Sequence, residues 1–435
     1  MITKPKGTYD VLPEEVGTWV KLEQMIRKIC QIYNYKEIRT PIFESGRVFH
    51  RDASDTSDMV TKETYDFLDR SNRQITLRPE GTAGVVRAFI ENKLYATNPL
   101  NKLFYLGQMF RYERPQKGRN RQFSQFGVEA LGSADPLMDA EVIALGTSLI
   151  KALGLKNVKV KINSIGDKES RERYKKACVQ YFSEYKKDLC EDCLVRLEKN
   201  PLRILDCKVD RNKEFFLKAP KIKEYLNEAS IQHFQKVLEA LDQMKIPYEI
   251  EDNLVRGLDY YSHTVFELEV DIEEFGAQNV IGAGGRYDSL VSDMEGPNIP
   301  GVGMAFGMER LLLAASYGGK SLKANEYLHV YFIALGEAAQ KACLTQMNVC
   351  RLGGLYCDMD FLGRGLKAQF KTADQNKAMF TCILGDNELS EFKINIKNNE
   401  TDEQETISLY EVYPYVLNKI NSRSACASCK EKEVK

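Results

Sequence analysis

The chain reads as an α+β protein in three parts: a sheet domain organised around one antiparallel hairpin, a helical insertion that splits it, and a separate C-terminal α/β domain. Three observations carry this. Residues 104–132, FYLGQMFRYERPQKGRNRQFSQFGVEALG, hold two alternating segments around an eight-residue tip, 114–121. From about 167 to 243 charged helical residues dominate and glycine nearly vanishes. Beyond 328, buried strands at 328–335, 355–359 and 379–384 alternate with helical segments, a β-α-β-α-β order that implies a parallel sheet. The expected boundaries are 1–166 and 249–320 for the split sheet domain, 167–248 for the insertion, 326–421 for the last domain and 422–435 for a polar, disordered tail.

Taken in order, residues 12–33 form a helix with Val16, Val20, Leu22, Ile26 and Ile29 on one side. Residues 35–43 are a strand broken by Pro41, which suits an edge where a second subunit could sit. Strands end near 66–69 and begin at 74–77. In LRPEGTAGVVRAFIENKL, Pro79 and Gly81 mark a turn and Thr82 caps a helix over 83–93. Glu80, just before that helix, interacts with its dipole or, functionally, holds an ammonium group. Asp135-Pro136 starts a helix to about 153 that stops at Gly154, and 158–162 is a strand. The sheet pattern returns at 250. LVRGLDYYSHTVFELEV turns at Arg256-Gly257 and then alternates; its His263 is a strand histidine of structural type. IGAGGRYD, 281–288, brings backbone close to something, since three glycines expose main-chain amides. PGVGMAFGMERLLL, 300–313, is a glycine-rich strand running into a helix that carries Arg310. Neither a dinucleotide fingerprint nor a phosphate loop is present, so a nucleotide site here is of another kind. Residues 317–326 form the linker. In the last domain 392–396 adds a strand and 409–420 a final helix.

The hairpin carries the chemistry. Period-2 counting puts Met109, Arg111 and Glu113 on one face, beside Phe123, Gln125, Gly127 and Glu129. Phe126, Val128 and Ala130 lie behind them as core. One sheet surface thus presents a cation, an aromatic ring, an amide and a carboxylate, and the tip adds Arg114, Lys117, Arg119 and Arg121 without an acid. Such a surface suits a polyanion across the strands and a second polyanion at the tip.

Totals bound the rest. A length of 435 residues exceeds one ordinary domain, and 61 basic against 62 acidic residues exclude a protein that grips nucleic acid over its whole surface. Eleven cysteines, an odd count spread along the chain, argue against a disulfide framework. No apolar signal core and no membrane-length apolar run occurs, so a reduced, cytoplasmic protein is expected. Cys190, Cys193 and Cys207 supply three of the four ligands of a closed zinc site, with Asp210 or His233 as the fourth; three reduced structural cysteines is the preferred reading. Cys426 and Cys429 are a bare pair in the tail.

KGTYDVLP, LRPEGTAG, RYERPQKGRNRQF, LVRGLDYY, GGRYD and GMER, in this order and spacing, resemble the bacterial-type histidyl-tRNA synthetases, class II aminoacyl-tRNA synthetases, over nearly everything from Lys6 to about Ile420. The resemblance implies a catalytic domain on a mainly antiparallel sheet with flanking helices and a C-terminal anticodon-binding domain. It also implies ATP and Mg2+, histidine, the tRNA for histidine, and a homodimer with no membrane. By resemblance Arg111 contacts the ATP α-phosphate, Glu113 reaches the adenine side, Phe123 stacks on adenine, and Arg310 covers its other face and the γ-phosphate end. Glu80 and Thr82 hold the amino acid's α-amino group. Gln125 and Arg256 flank the reacting carboxylate and phosphate. Glu129 and Tyr261 read the imidazole, Tyr260 and Tyr287 line its pocket, and Arg114 and Gln116 touch the tRNA acceptor end. Gln125 and Glu129 are four residues apart on one strand, about 13 Å along it, which sets the side-chain reader deeper. The rival is a non-catalytic, histidine-binding regulatory paralogue of histidine biosynthesis; such relatives generally lack the last domain and degrade the ATP and tRNA motifs.

Overall fold

The structure is a computed structural model that describes residues 1–50, 62–114, 119–207, 209–210, 212–255, 260–275, 279–318, 320–322 and 327–432. The chain divides into two compact units, Met1–Lys323 and Ala324–Lys435.

In the first unit the strands are β1 (Lys36–Glu37), β2 (Phe43–Ser45), β3 (Tyr65–Leu68), β4 (Gln74–Leu77), β5 (Asn101–Phe110), β6 (Gln122–Leu131), β7 (Val158–Ser164), β8 (Tyr248–Ile250), β9 (Ser262–Val270), β10 (Val280–Arg286) and β11 (Gly301–Gly307). Eight of them form one sheet, ordered β1-β5-β6-β11-β10-β9-β7-β8. It is antiparallel throughout except for its outermost pairs, β1 with β5 and β7 with β8. The expected hairpin is β5–β6, with Tyr105 opposite Gly127 and Met109 opposite Phe123. β2, β4 and β3 make a small antiparallel sheet of their own.

Alternation decides which face is core. Phe104, Phe126, Val128, Ala130, Val302, Met304 and Phe306 point back into the main cluster, against the helices Pro13–Ile32 and Pro136–Ala152. Asp135 caps the second helix by accepting from the Leu137 N–H at 2.9 Å. Only part of the expected stripe on the first helix is buried: Leu22, Ile26, Ile29 and Cys30 pack inward, while Val16 and Val20 are 41% and 44% exposed.

The 167–248 segment is helical, but it divides. Tyr174, Phe182, Cys193, Leu197, Cys207 and Phe216 belong to a separate small core. The helix Glu228–Gln243 instead contributes Val237, Ala240 and Leu241 to the main core. Its apolar side has that large neighbour to pack on, which local composition could not reveal.

The glycines of 281–288 do bring backbone close to something: a Cβ on Gly284 would lie 2.2 Å from the Gly303 carbonyl oxygen and one on Gly285 2.6 Å from the Thr264 carbonyl oxygen, and they make room for side chains as well. A Cβ on Gly282 would lie 2.3 Å from the Phe306 ring, and one on Gly285 would lie 2.8 Å from Tyr261. Three central strands can therefore carry large rings side by side.

In the second unit β12 (Val330–Ala334), β13 (Cys357–Met359) and β14 (Phe380–Leu384) are parallel, as expected. β15 (Lys393–Asn398) and β16 (Gln404–Ser408) extend the sheet antiparallel. β16 escapes sequence reading because QETIS on an open edge has almost no apolar face. The last helix, Val412–Lys432, continues past the point where a disordered tail is expected, and no glycine or proline between Tyr415 and Lys432 stops it.

Candidate active site

The site lies on the face of the first-unit sheet opposite the main core. Its floor is Glu129, on β6. Register sets Gly303 of β11 beside it, where a Cβ would sit 1.9 Å from Glu129 Oε2. Glu129 is 1% exposed and, among the described residues, meets no cation; the Thr82 hydroxyl donates to its Oε1 at 2.6 Å and the Tyr287 hydroxyl donates to its Oε2. Burial pushes its carboxyl up to about 8, the Glu80 charge adds to this, and the two hydroxyls only partly oppose it. An acid at the bottom of this pocket is therefore neutral near pH 7.

Thr82 does not cap its helix. The helix Thr82–Glu91 is capped from two residues upstream: the Glu80 carboxylate accepts from the Thr82 N–H at 2.6 Å and the Ala83 N–H at 2.8 Å. A carboxylate offers two oxygens to two orphan amides where a hydroxyl offers one, so Thr82 is released to reach across to β6. Glu80, Thr82 and Glu129 form one buried chain, and the structural reading of Glu80, an acid at a helix start, is the one its hydrogen bonds show.

Above the floor stands Gln125. Its Oε1 accepts from the Gly81 N–H and the Tyr105 hydroxyl, both at 3.2 Å. No sequence motif points to Tyr105, although period-2 counting back along β5 from Met109 through Gly107 reaches it. A Cβ on Gly81 or Gly127 would lie 2.2 or 2.3 Å from its ring, so two glycines keep that ring in place. Tyr260, Tyr261 and Tyr287 form the side wall, with ring centroids 4.8 Å apart for Tyr260–Tyr261 and 5.7 Å for Tyr260–Tyr287. Tyr287 does more than line the wall, since its hydroxyl holds Glu129. Arg171, from the helix Lys168–Glu184, donates to the Tyr261 carbonyl at 2.6 Å and ties the wall to the insertion.

The mouth is cationic. Arg111 Nε donates to the Pro79 carbonyl at 2.8 Å, which fixes it next to Glu80. Its guanidinium lies 5.3 Å from the Phe123 ring centroid and 3.8 Å from Glu113 Oε1. Arg119 is 3.8 Å from the other oxygen of Glu113. Arg310 lies over Phe275 at 5.2 Å, and burial with the nearby Arg119 charge lowers its pKa. Arg310 is aimed by its neighbour: Glu309 accepts from the Ser124 N–H on β6 and from the Tyr9 hydroxyl, both at 2.7 Å. The KGTYD and GMER segments thus meet on one strand. Arg114 is exposed at the start of the tip; Gln116 and Arg256 lie outside the described residues.

His263 and His233 are not at this site. They stack on each other at 4.9 Å, His263 3.6 Å from Asp288 and His233 3.3 Å from Asp139. His263 sits at positive φ (49°), in the segment where the β9–β10 register shifts, which is a structural reason for it to be there. Asp139 in turn binds Arg286, fully buried, whose Nη1 also donates to the Ser133 carbonyl at 2.9 Å and to Asp288 at 3.1 Å. This pin holds the end of β10, and hence Tyr287.

Comparison with known proteins agrees with the geometry. Residues 7–166 and 191–311 match the Histidyl-tRNA synthetase family, and residues 329–419 match the Anticodon binding domain family. A histidine--tRNA ligase of Geobacillus sp. (strain WCH70) is 50% identical over 418 residues, 96% of this chain and 99% of that one. Another, of Acholeplasma laidlawii (strain PG-8A), is 51% identical over 406 residues, 93% and 96% of the two chains. The apo S. aureus histidyl-tRNA synthetase structure matches with a TM-score of 0.82 at 41% identity, covering 96% of this chain and 100% of that one. The Nostoc sp. PCC 7120 histidyl-tRNA synthetase, at 20% identity and a TM-score of 0.66, shares the fold over 97% of this chain and 100% of its own. With a class II sheet, a buried carboxylate under an arginine-rimmed mouth and relatives of this identity over nearly its whole length, the chain belongs to the histidyl-tRNA synthetase family.

Proposed function

We propose that this protein joins L-histidine to its tRNA in two steps at the pocket above Glu129. The histidine carboxylate attacks the α-phosphorus of ATP in line, giving histidyl-adenylate and pyrophosphate. The 3′-hydroxyl of the terminal adenosine of the tRNA then attacks the activated carbonyl, and AMP leaves. The observation that carries this reading is Glu129, a buried acid on the pocket floor with two hydroxyls and, among the described residues, no cation around it.

An imidazole has one donor and one acceptor nitrogen, or two donors when charged. Glu129 can give its proton to the acceptor nitrogen or accept from the ring N–H, and Tyr261 lies in the same wall. An apolar isostere would leave these groups unpaired, which is the strong form of discrimination. Glu80 faces the amino acid's ammonium while still capping its helix. Gln125, its oxygen engaged by Gly81 and Tyr105, turns its N–H donors toward the reacting oxygens. Arg111 and Arg256 stabilise charge on the α-phosphate; no strong base is needed, because the nucleophile enters ionised. Phe123 and Arg310 sandwich the adenine, and Glu113 approaches its edge. Magnesium would come with ATP, with Glu113 the carboxylate nearest to it in the arginine-lined mouth, and would offset the pyrophosphate charge. Arg114 and Gln116 meet the acceptor end of the tRNA, and the second unit takes its anticodon. We assign the working form to a cytoplasmic homodimer with the Pro41 region at the interface; among the described residues no helix is long and apolar enough to cross a membrane.

The regulatory reading is not favoured: relatives at 50% identity over 96% of the chain are named ligases, and the anticodon-type domain is present. Aminoacylation of bulk tRNA with each amino acid in turn tests the assignment, with histidine alone expected to be attached. Histidine-dependent ATP–pyrophosphate exchange by Arg256→Ala is expected to fall on the order of 100-fold or more. Wild-type exchange in that variant removes Arg256 from the mechanism, and charging with another amino acid removes the assignment itself.

A further inference from the structure

The small core of the insertion contains a cluster that the reaction does not use. One ligating atom from each of Cys190, Cys193, Cys207 and Asp210 lies within 4.8 Å of every other. We propose that these four side chains bind a structural zinc ion.

The geometry is that of a closed tetrahedral site. Arms of about 2.3 Å give a tetrahedron with edges of about 3.8 Å. The Cys190 and Cys207 sulfurs are 3.7 Å apart, the length of such an edge and far outside disulfide bonding. Cys190 is the N-cap of the helix Glu191–Lys199 and Cys193 lies in its first turn, so one helix start supplies two sulfurs on one side. Cys207 closes the 3-10 helix Pro201–Asp206, and Asp210 follows three residues later. Cys193, Cys207 and Asp210 are 0%, 3% and 0% exposed.

The groups behind the ligands are arranged for an ion. The Asp210 N–H donates to the Cys207 sulfur at 3.3 Å, and the Cys190 N–H donates to Asp210 Oδ2 at 3.0 Å. Lys213 lies 2.8 Å from Asp210 Oδ1 and donates to the Asp188 carbonyl at 2.5 Å, which anchors the loop and offsets the excess negative charge of three thiolates and a carboxylate around a dication. Three thiolates select a soft metal over magnesium or calcium. Four protein ligands leave no open position, so the ion is structural. His233, the other candidate for the fourth position, is engaged with Asp139 and His263.

The site also answers a stability question. The core around it is small, built among the described residues from twelve buried ones between Tyr174 and Ile222, and packs of this size generally need a cross-link. A metal joining the helix start at Cys190 to the turn at 207–210 supplies one. Through Arg171 and the Tyr261 carbonyl, the same module braces the pocket wall.

The test is metal content of the full-length protein, expressed with added zinc and purified without chelator, by inductively coupled plasma mass spectrometry. The expected result is about one zinc per chain, lost in Cys190→Ser and in Asp210→Asn and kept in a Cys426→Ser/Cys429→Ser double variant. Should Cys190→Ser fail to fold, cobalt reconstitution of the wild-type chain decides: thiolate-to-cobalt charge-transfer absorption with tetrahedral d–d bands is expected. A metal-free protein that gives no such bands overturns the proposal. So does zinc that persists in Cys190→Ser and disappears with the tail cysteines, or a thiol count that shows Cys190 and Cys207 oxidised to a disulfide.

Discussion

Glu129 and Asp139 are both buried, 1% and 0% exposed, yet they are held in opposite states. Burial disfavours the charge of each. At Asp139 the Arg286 guanidinium and His233 outweigh burial, and the carboxyl stays below the usual range. At Glu129 only hydroxyls are at hand among the described residues, burial wins, and the carboxyl rises to about 8. The first arrangement is complete and works as a pin. Among the described residues the second has hydroxyl donors but no cationic partner, and a ligand able to bring one finishes it. A stable pin and a waiting acid can thus be told apart by which partner the fold supplies.

The largest effect is expected on the pin. Arg286→Ala leaves Asp139 buried without its cation and should destabilise the first unit by about 3–5 kcal/mol in urea denaturation. A loss below about 1 kcal/mol would mean that the two carboxylates do not differ as described. Next comes the floor. Gly303→Ala forces a methyl against Glu129 and the Val128 carbonyl, and should cost about 1–3 kcal/mol while weakening histidine binding. Unchanged histidine binding would show that Glu129 has room to move.

The two acids also predict opposite pH dependence. The folded pKa of Glu129 is raised, so its stabilising contribution is full below its ordinary value of 4.5 and is lost as pH rises through about 8. The folded pKa of Asp139 is depressed from 3.8, so its contribution is present above that value and is lost as pH falls through the folded one. Melting temperature between pH 5 and 9 should therefore fall with a component that Glu129→Gln removes; equal slopes in the two proteins would contradict it. The smallest effect is expected for Thr82→Val. It deletes one hydroxyl donor and should cost about 1 kcal/mol of histidine binding, roughly fivefold in KM, with little change in melting temperature.

Much of this was legible locally. Alternation in 104–132 gives the hairpin, its core face and the Phe123–Gln125–Glu129 row, because strand side chains obey a period of two regardless of context. Asp135-Pro136 is legible as a helix start for the same reason. The partnerships are not. Asp139 and Arg286 are 147 residues apart, and nothing near either names the other. Thr82 looks like a cap because hydroxyls before helices usually are; only the fold shows Glu80 doing that work and Thr82 reaching Glu129. The glycines of β10 and β11 suggest close approach, but whether to a ligand or to Phe306 and Tyr261 depends on register. The three cysteines were visible, and the choice of Asp210 over His233 required the chain to be folded.

The central claim is that a buried acid held by two hydroxyls under the pocket reads the histidine ring. Calorimetric titration of Glu129→Gln with histidine tests it most directly, because glutamine copies the shape of the protonated acid. The account predicts that the variant melts at or near the wild-type temperature at pH 7 while histidine affinity drops on the order of 100-fold. Histidine bound by Glu129→Gln within a few-fold of wild type would contradict it.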